Sequence, residues 1–563
     1  MKFSEFPFYI PDINIVRQNF RTLFRRFSES NSFEEQHKYF LEINEGFKDY
    51  STLWGIARIR YSLDMNSEEN KKNNLHFDNS EPQYSAIEKE FDGLFLQSQF
   101  RSEYDKIYGS NLSRTMENDF KLYTDDVAED IKEESRIEIA YSELRGKAMV
   151  KFDGKEITFS ELDEYLSSTD REVRKKANEV YWKFFEENND SFCKLLDDIV
   201  KVRTRLAKKL GFKNFVELAY ARLDKEYSPQ DALKFTSYLH KHVVPLSFKL
   251  LQRQSARIGI DKLKYYDTAL RFKSGNAKPA GNPEWITEQA KKMYHELSPE
   301  TGEFINFMIN NELLNIYPQK GKEEGGFCAY LQKHKSPFIF ANMNGTDGDV
   351  DVLTHEAGHA LQKYLCRNYA IPELINITPE VGEIHSMAME FLTYDYMHIF
   401  FGEDVNKYFY SHQESFVRGC LTTALVNEFQ NEIYEKPELT IDERNILWRN
   451  LQKKYNPVID YDGNEYLESG HTWQNRSLIF EIPFYDIDYA LAQFCAYQFF
   501  FRSKLNFKKT FREYLDFCKL GGRYTFSESL KITGLKSPFE EETIIEMIME
   551  VEKFMESIDD SKF

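Results

Sequence analysis

His355, Glu356 and His359 stand in the order His-Glu-Ala-Gly-His. Two histidines four residues apart lie one helical turn from each other, on one face of a helix. Two nitrogen ligands of a tetrahedral Zn²⁺ require that presentation, and the glutamate between them sits where it can take a proton from water activated by the ion. Leu353, Ala357, Ala360, Leu361 and Tyr364 follow an i, i+4, i+7, i+8, i+11 stripe. The stripe predicts an amphipathic helix that buries these side chains and turns both histidines largely away from them.

A catalytic zinc needs a third protein ligand and an open position. The elongated metzincin pattern would place Gly at 362 and His at 365; the chain has Gln362 and Leu365, which excludes that class. Downstream, Thr378-Pro379 suits the start of a second helix. On it Glu383, Met387 and Glu390 share one face, with Ile384, Ala388, Phe391 and Leu392 on another. Glu383 lies 24 residues after His359 and is a candidate third ligand, with Glu390 a candidate to orient a ligand imidazole from behind. Glu380 and His385 are rival ligands on spacing alone.

The elements that must position these residues are mostly helical. The 563 residues include only 25 Gly and 16 Pro, well below the usual share of roughly 12%. Thr169 with Glu172 reads as a capping box, and Ser228-Pro229 and Ser537-Pro538 read as helix starts. Gly211 is placed to stop a helix. Residues 66–84, rich in Asn and charge, are expected as an exposed loop, and 272–285 as a longer connection. Two β-prone runs, 325–331 and 337–343, predict a small sheet beside the His-Glu helix. Leu331 and residues 337–341 are expected to offer a strand edge to an extended peptide.

Composition excludes several classes. Net charge is −19 without a basic run, which argues against nucleic acid and an anionic membrane as partners. No obligate protein partner is evident. The first residues lack the apolar core of a secretory signal, and residues 489–501 are too short and too often interrupted to span a bilayer. Six scattered cysteines without a CxxC predict reduced thiols and a cytoplasmic protein.

Residues 342–346, 349–360 and 383–390 resemble the oligoendopeptidase F and thimet oligopeptidase family, most closely its bacterial Pz-peptidase-like branch. Tyr317-Pro318, Gly321-Lys322, Gly325-Gly326-Phe327-Cys328, Pro483-Phe484-Tyr485 and Asp488-Tyr489-Ala490 extend the likeness, as does the stretch from Ser168 to Arg171. The resemblance implies a mainly α fold whose helical regions enclose a deep channel. It implies one Zn²⁺ per chain held by His355, His359 and Glu383, with Glu356 as general base in attack by a zinc-bound water. Short, unstructured peptides are the implied substrates. Tyr485 and Tyr489 are the candidates to help stabilise the oxyanion. The expected organisation is an N-terminal helical region, 1–150, and a catalytic region, 151–563.

Two departures from the family pattern fall in one segment. Relatives often carry His where this chain has Leu478, and Tyr where it has Asp486. A lost imidazole and a lost phenol remove contacts to the substrate or transition state while leaving the zinc ligands intact. The alternative reading is therefore a zinc-retaining peptide-binding protein with weak or shifted activity; a third is a helical scaffold without metal. His471, nearby in sequence, is not expected to replace the missing imidazole.

Overall fold

Helices account for most of the chain in the computed structural model, which describes residues 1–146 and 148–563. Three long helices, α1 (Ile13–Glu29), α2 (Phe33–Leu63) and α3 (Glu68–Leu96), pack on one another at the N-terminus. Their shared core is aromatic, with Phe20, Phe24, Phe40, Phe91, Phe95 and Tyr104 buried. Ile371 and Leu374, from a turn much further along the chain, complete that core. Among the described residues no helix is long and apolar enough to cross a membrane.

α3 overturns the expectation of a loop over 66–84. Ser67 caps it by accepting from the Asn70 N–H, and Pro82 is accommodated inside it. Phe77, Tyr84, Ile87, Phe91 and Phe95 are its buried stripe. The first two are seven residues apart among polar neighbours, so the helical period becomes legible only beyond the polar stretch. Two predicted helix starts also shift. Asp170, not Thr169, caps the helix Arg171–Glu187, accepting from Glu172 and Val173. Ser537 closes a turn on Phe539, and the last long helix begins at Glu541 without a side-chain cap. The Ser228 box is present as expected, with Asp231 returning the bond.

Among the described residues, five short strands form two sheets. β1 (Val150–Phe152) and β2 (Lys155–Ile157) make an isolated hairpin. β3 (Leu314–Asn315), β4 (Phe327–Leu331) and β5 (Ser336–Phe340) form the second sheet in the order β3-β5-β4. β5 is therefore central, parallel to β3 and antiparallel to β4. The strand edge expected on residues 337–341 is paired on both sides; among the described residues the outer strands are β3 and β4, and Leu331, the other residue expected at an edge, lies on β4. The Lys322 ammonium fastens the end of this sheet, donating to Asn315 Oδ1 at 2.7 Å, to the Tyr317 carbonyl at 2.8 Å and to the carbonyls of Asn315 and Ala341. Burial lowers its pKa to about 8.

Past β5 the chain turns into the His-Glu helix, Gly348–Cys366. Asp349 sets that turn, accepting from the Asn344 and Gly345 N–H groups at 2.8 Å each. The helix packs on Pro379–Leu392, which in turn packs on Asp486–Leu505. The first crossing is backbone to backbone. A Cβ on Gly358 would lie 2.5 Å from the His385 carbonyl oxygen and 2.6 Å from Ser386 Cα. Arg203, wholly buried, ties further layers together by donating to Glu134 at 2.7 Å, Tyr434 Oη at 3.0 Å and the Ile479 carbonyl at 3.0 Å.

Gly358→Ala should force these two helices apart. Overpacking of this kind costs about 1–3 kcal/mol, read as a lower thermal midpoint of the full chain. An unchanged midpoint would show that the crossing tolerates a methyl group.

Candidate metal centre

The stripe Leu353, Ala357, Ala360, Leu361 and Tyr364 is buried, and this leaves His355 and His359 half-buried on the other side of their helix. Glu383 enters from the crossing helix and is almost wholly buried. Its Oε2 lies 3.1 Å from His355 Nε2 and 3.6 Å from His359 Nε2. Among the described residues, this is the group of three in which one ligand atom from each lies within 4.8 Å of the others. The rivals point elsewhere. His385 stacks on Phe517 with ring centroids 4.5 Å apart, and burial lowers its pKa to about 3, keeping it neutral. Glu380 is fully buried with both carboxylate oxygens unpartnered, and burial followed by the charge of Asp488 raises its pKa to about 8.

Glu390 stands behind the ligands. His355 Nδ1 bonds to its Oε1 at 2.6 Å, which leaves His355 Nε2 directed at Glu383. Its other oxygen bonds to His412 Nε2 at 2.8 Å. His412 lies on the helix Val405–Glu435 and its Nδ1 also meets the Tyr394 hydroxyl. Asp351, one turn before His355, accepts from the Tyr408 hydroxyl at 2.6 Å and lies 3.6 Å from His412. Burial first, opposed by His412, sets the Asp351 pKa at about 7. Nothing local in the sequence marks His412, since it follows Glu390 by 22 residues on a different helix.

Glu356 is 7% exposed, and its Oε2 is buried without a protein partner. Burial raises its pKa, against the opposing pull of His359 and His355. Gly326, just before β4, lies beside the site: a Cβ there would meet the Phe340 carbonyl oxygen and Val352 Cγ1 at 3.3 Å, with Glu356 Oε1 at 3.7 Å, an ordinary contact. Two imidazoles and one carboxylate converge, a second carboxylate fixes one ring, and a buried carboxylate oxygen awaits a partner. This donor set fits a borderline divalent cation such as Zn²⁺ with water beside it.

The two tyrosines differ. The Tyr485 hydroxyl donates to Glu383 Oε1. The Tyr489 ring lies 5.3 Å from Tyr485 and 6.5 Å from His355, with no hydrogen bond to its hydroxyl among the described residues. Phe484 adopts a left-handed backbone, φ +67°, and its N–H donates to Gln430 Oε1 at 3.0 Å. That strained residue redirects the chain immediately before Tyr485. Asp488, between the tyrosines, is fully buried against the Lys225 ammonium and the Tyr227 hydroxyl. Leu478 is half-buried in a short helical turn. Asp486 opens the tyrosine helix, where burial raises its pKa to about 6. His471 stacks on Tyr466 at 4.5 Å and bonds to Asn445, so it takes no part in the centre.

Residues 164–549 match the model of Peptidase family M3, and residues 3–123 that of the Peptidase M3 N-terminal domain. Oligopeptidase PepF of Bacillus subtilis is 25% identical over 394 residues, covering 68% of this chain and 56% of that protein. An oligoendopeptidase F homolog of Borreliella burgdorferi is 24% identical over 386 residues, covering 66% and 63%. The chain thus spans less than two thirds of these curated relatives. Among solved structures, Pz peptidase A with an inhibitor superposes with TM-score 0.98 at 43% identity over the whole of both chains. An oligoendopeptidase F described as putative, from Bacillus anthracis, gives 0.93 at 39%, covering 100% of this chain and 99% of that one.

Replacing Glu390 by Gln should weaken divalent-metal affinity about 10–100-fold, measured by competition with a chelator. His412→Ala should weaken it less, because Glu390 keeps its bond to His355. Equal metal affinity in the wild type and Glu390→Gln would refute the supporting role.

Proposed function

The chain belongs to peptidase family M3, and we infer that it is a zinc-dependent endopeptidase of short, unstructured peptides. The observation that carries this reading is the convergence of His355, His359 and Glu383 beside the orphaned carboxylate oxygen of Glu356. When bound there, Zn²⁺ supplies Lewis-acid polarisation of the scissile carbonyl and lowers the pKa of water toward about 7.

This chain's own residues do the rest. Glu356 takes the proton of the attacking water and returns it to the leaving amine, a task favoured by its raised pKa. Tyr489 donates its free hydroxyl to the developing oxyanion. Tyr485 holds Glu383 in place, and Glu390 fixes the tautomer of His355. The outer edge of β4 pairs with the peptide backbone, so side-chain sequence matters little to that contact. Six unbridged cysteines support a reducing, cytoplasmic setting.

Glu356→Gln should keep its metal and lose about 10²–10⁴ in turnover of a quenched peptide of about ten residues. Undiminished cleavage would sink the assigned base. Tyr489→Phe should lower kcat by about 10²-fold with KM little changed; a change in KM alone would make it a binding residue. Bound metal and bound peptide without wild-type turnover would favour the peptide-binding alternative raised by Leu478 and Asp486.

A further inference from the structure

A cavity of about 890 Å³ lies between the N-terminal helices and the catalytic helices. Ile377, Thr378, Pro379 and Val381 line it, at the start of the helix that carries Glu383, and Tyr330 of β4 joins them. The cavity therefore adjoins the metal centre along both the ligand helix and the strand edge. Its wall is acidic. Glu81, Glu88 and Asp92 project from α3 at i, i+7 and i+11, on one face, and Asp119 and Glu373 come from other segments.

Three further lining carboxylates are paired: Glu134 with Arg203 and Arg222, Glu138 with Arg203, and Asp224 with Arg114. The five are not. Asp92 is 7% exposed and has neither hydrogen bond nor ion pair among the described residues. Glu373 Oε2 is buried without a partner. The one remaining lining cation, Lys89, is bound to the Tyr123 carbonyl and sits 4.7 Å over the Phe120 ring. Burial first, then repulsion from Asp78 at Glu81, from Asp224 at Asp119 and from Asp119 at Glu88, pushes Glu81 and Asp119 to about 7 and Glu88 to about 8. Glu81, Glu88, Asp119 and Glu373 all line this one cavity.

Buried carboxylates without counterions either hold protons or call for positive charge to be delivered to them, and a cation arriving in the chamber favours their ionised form. A single metal ion does not fit, because among the described residues three ligand atoms converge only at His355, His359 and Glu383. Acids spread over a chamber suit ammonium or guanidinium groups spaced along a chain. We propose that this chamber receives one arm of a cationic peptide, so that the protein selects peptides bearing a free α-amino group, lysine or arginine on one side of the scissile bond. The inference rests on the peptidase reading and names the substrate class for it.

The test compares a ten-residue peptide carrying two arginines with its citrulline counterpart, each with a free and an acetylated N-terminus. Affinity is measured by competition on full-length Glu356→Gln, and KM by cleavage with the wild type. The arginine peptide should bind at least about ten-fold tighter than the citrulline peptide, with the difference shrinking in high salt. In a Glu88→Gln, Asp119→Asn, Glu373→Gln background the ratio should fall toward one. Those amides relieve repulsion, so the thermal midpoint should hold or rise. Loss on acetylation assigns the α-amine, and loss on citrulline substitution the side chains. Equal affinity for charged and neutral peptides, or a preference that survives the triple variant, would overturn the proposal. Charge-selective binding without any wild-type cleavage would instead sink the peptidase reading and leave the chamber standing.

Discussion

The close crossing at Gly358 is the constraint on which the centre depends. Only where one helix backbone touches another can a short carboxylate side chain reach two imidazoles on the neighbouring helix. Gly358 lies between His355 and His359, and its contact at His385–Ser386 falls within one turn of Glu383. The residue whose missing Cβ permits the contact thus belongs to the same five-residue motif as the ligands. The small sheet packs on the same His-Glu helix through β4 and β5.

Around that crossing the chain accumulates buried charge that must be mutually satisfied. Glu383 and Glu390 are both nearly inaccessible, and three imidazoles, His355, His359 and His412, face them. Carboxylates desolvated to this degree are tolerated where opposite charge or strong donors surround them. A cation at the ligand atoms would complete that balance, and the donors behind it would keep each ring in a single orientation. The tyrosine helix is anchored in the same manner. Its Asp488 is locked by Lys225 and Tyr227 in full burial, so Tyr485 and Tyr489 stand on a rigid support rather than on a loop.

Much of this centre was legible from short-range pattern. The stripe on the His-Glu helix, the start at Pro379 and the wall strands follow from periodicity and turn chemistry. Two expectations failed for different reasons. Residues 66–84 look like a loop because Phe77 and Tyr84, the buried aromatics there, stand among polar and charged neighbours that hide the helical period. Residues 337–341 look like a free edge because pairing with β3, parallel and only two residues long, has no local signature.

The sequence by itself determined the residue types of the candidate centre: two imidazoles and a carboxylate at helical spacing, and a second helix with carboxylates on one face. These depend on contacts within a turn or two, where backbone geometry alone fixes which side chains are neighbours. Only the tertiary structure decided which of Glu380, Glu383 and His385 meets the histidines, that His412 supports Glu390, and that acids from α3 face a chamber beside the centre. Those relations join residues tens to hundreds of positions apart. They are set by how helices pack, through a missing Cβ at Gly358 and a left-handed turn at Phe484, and no spacing rule along the chain encodes them.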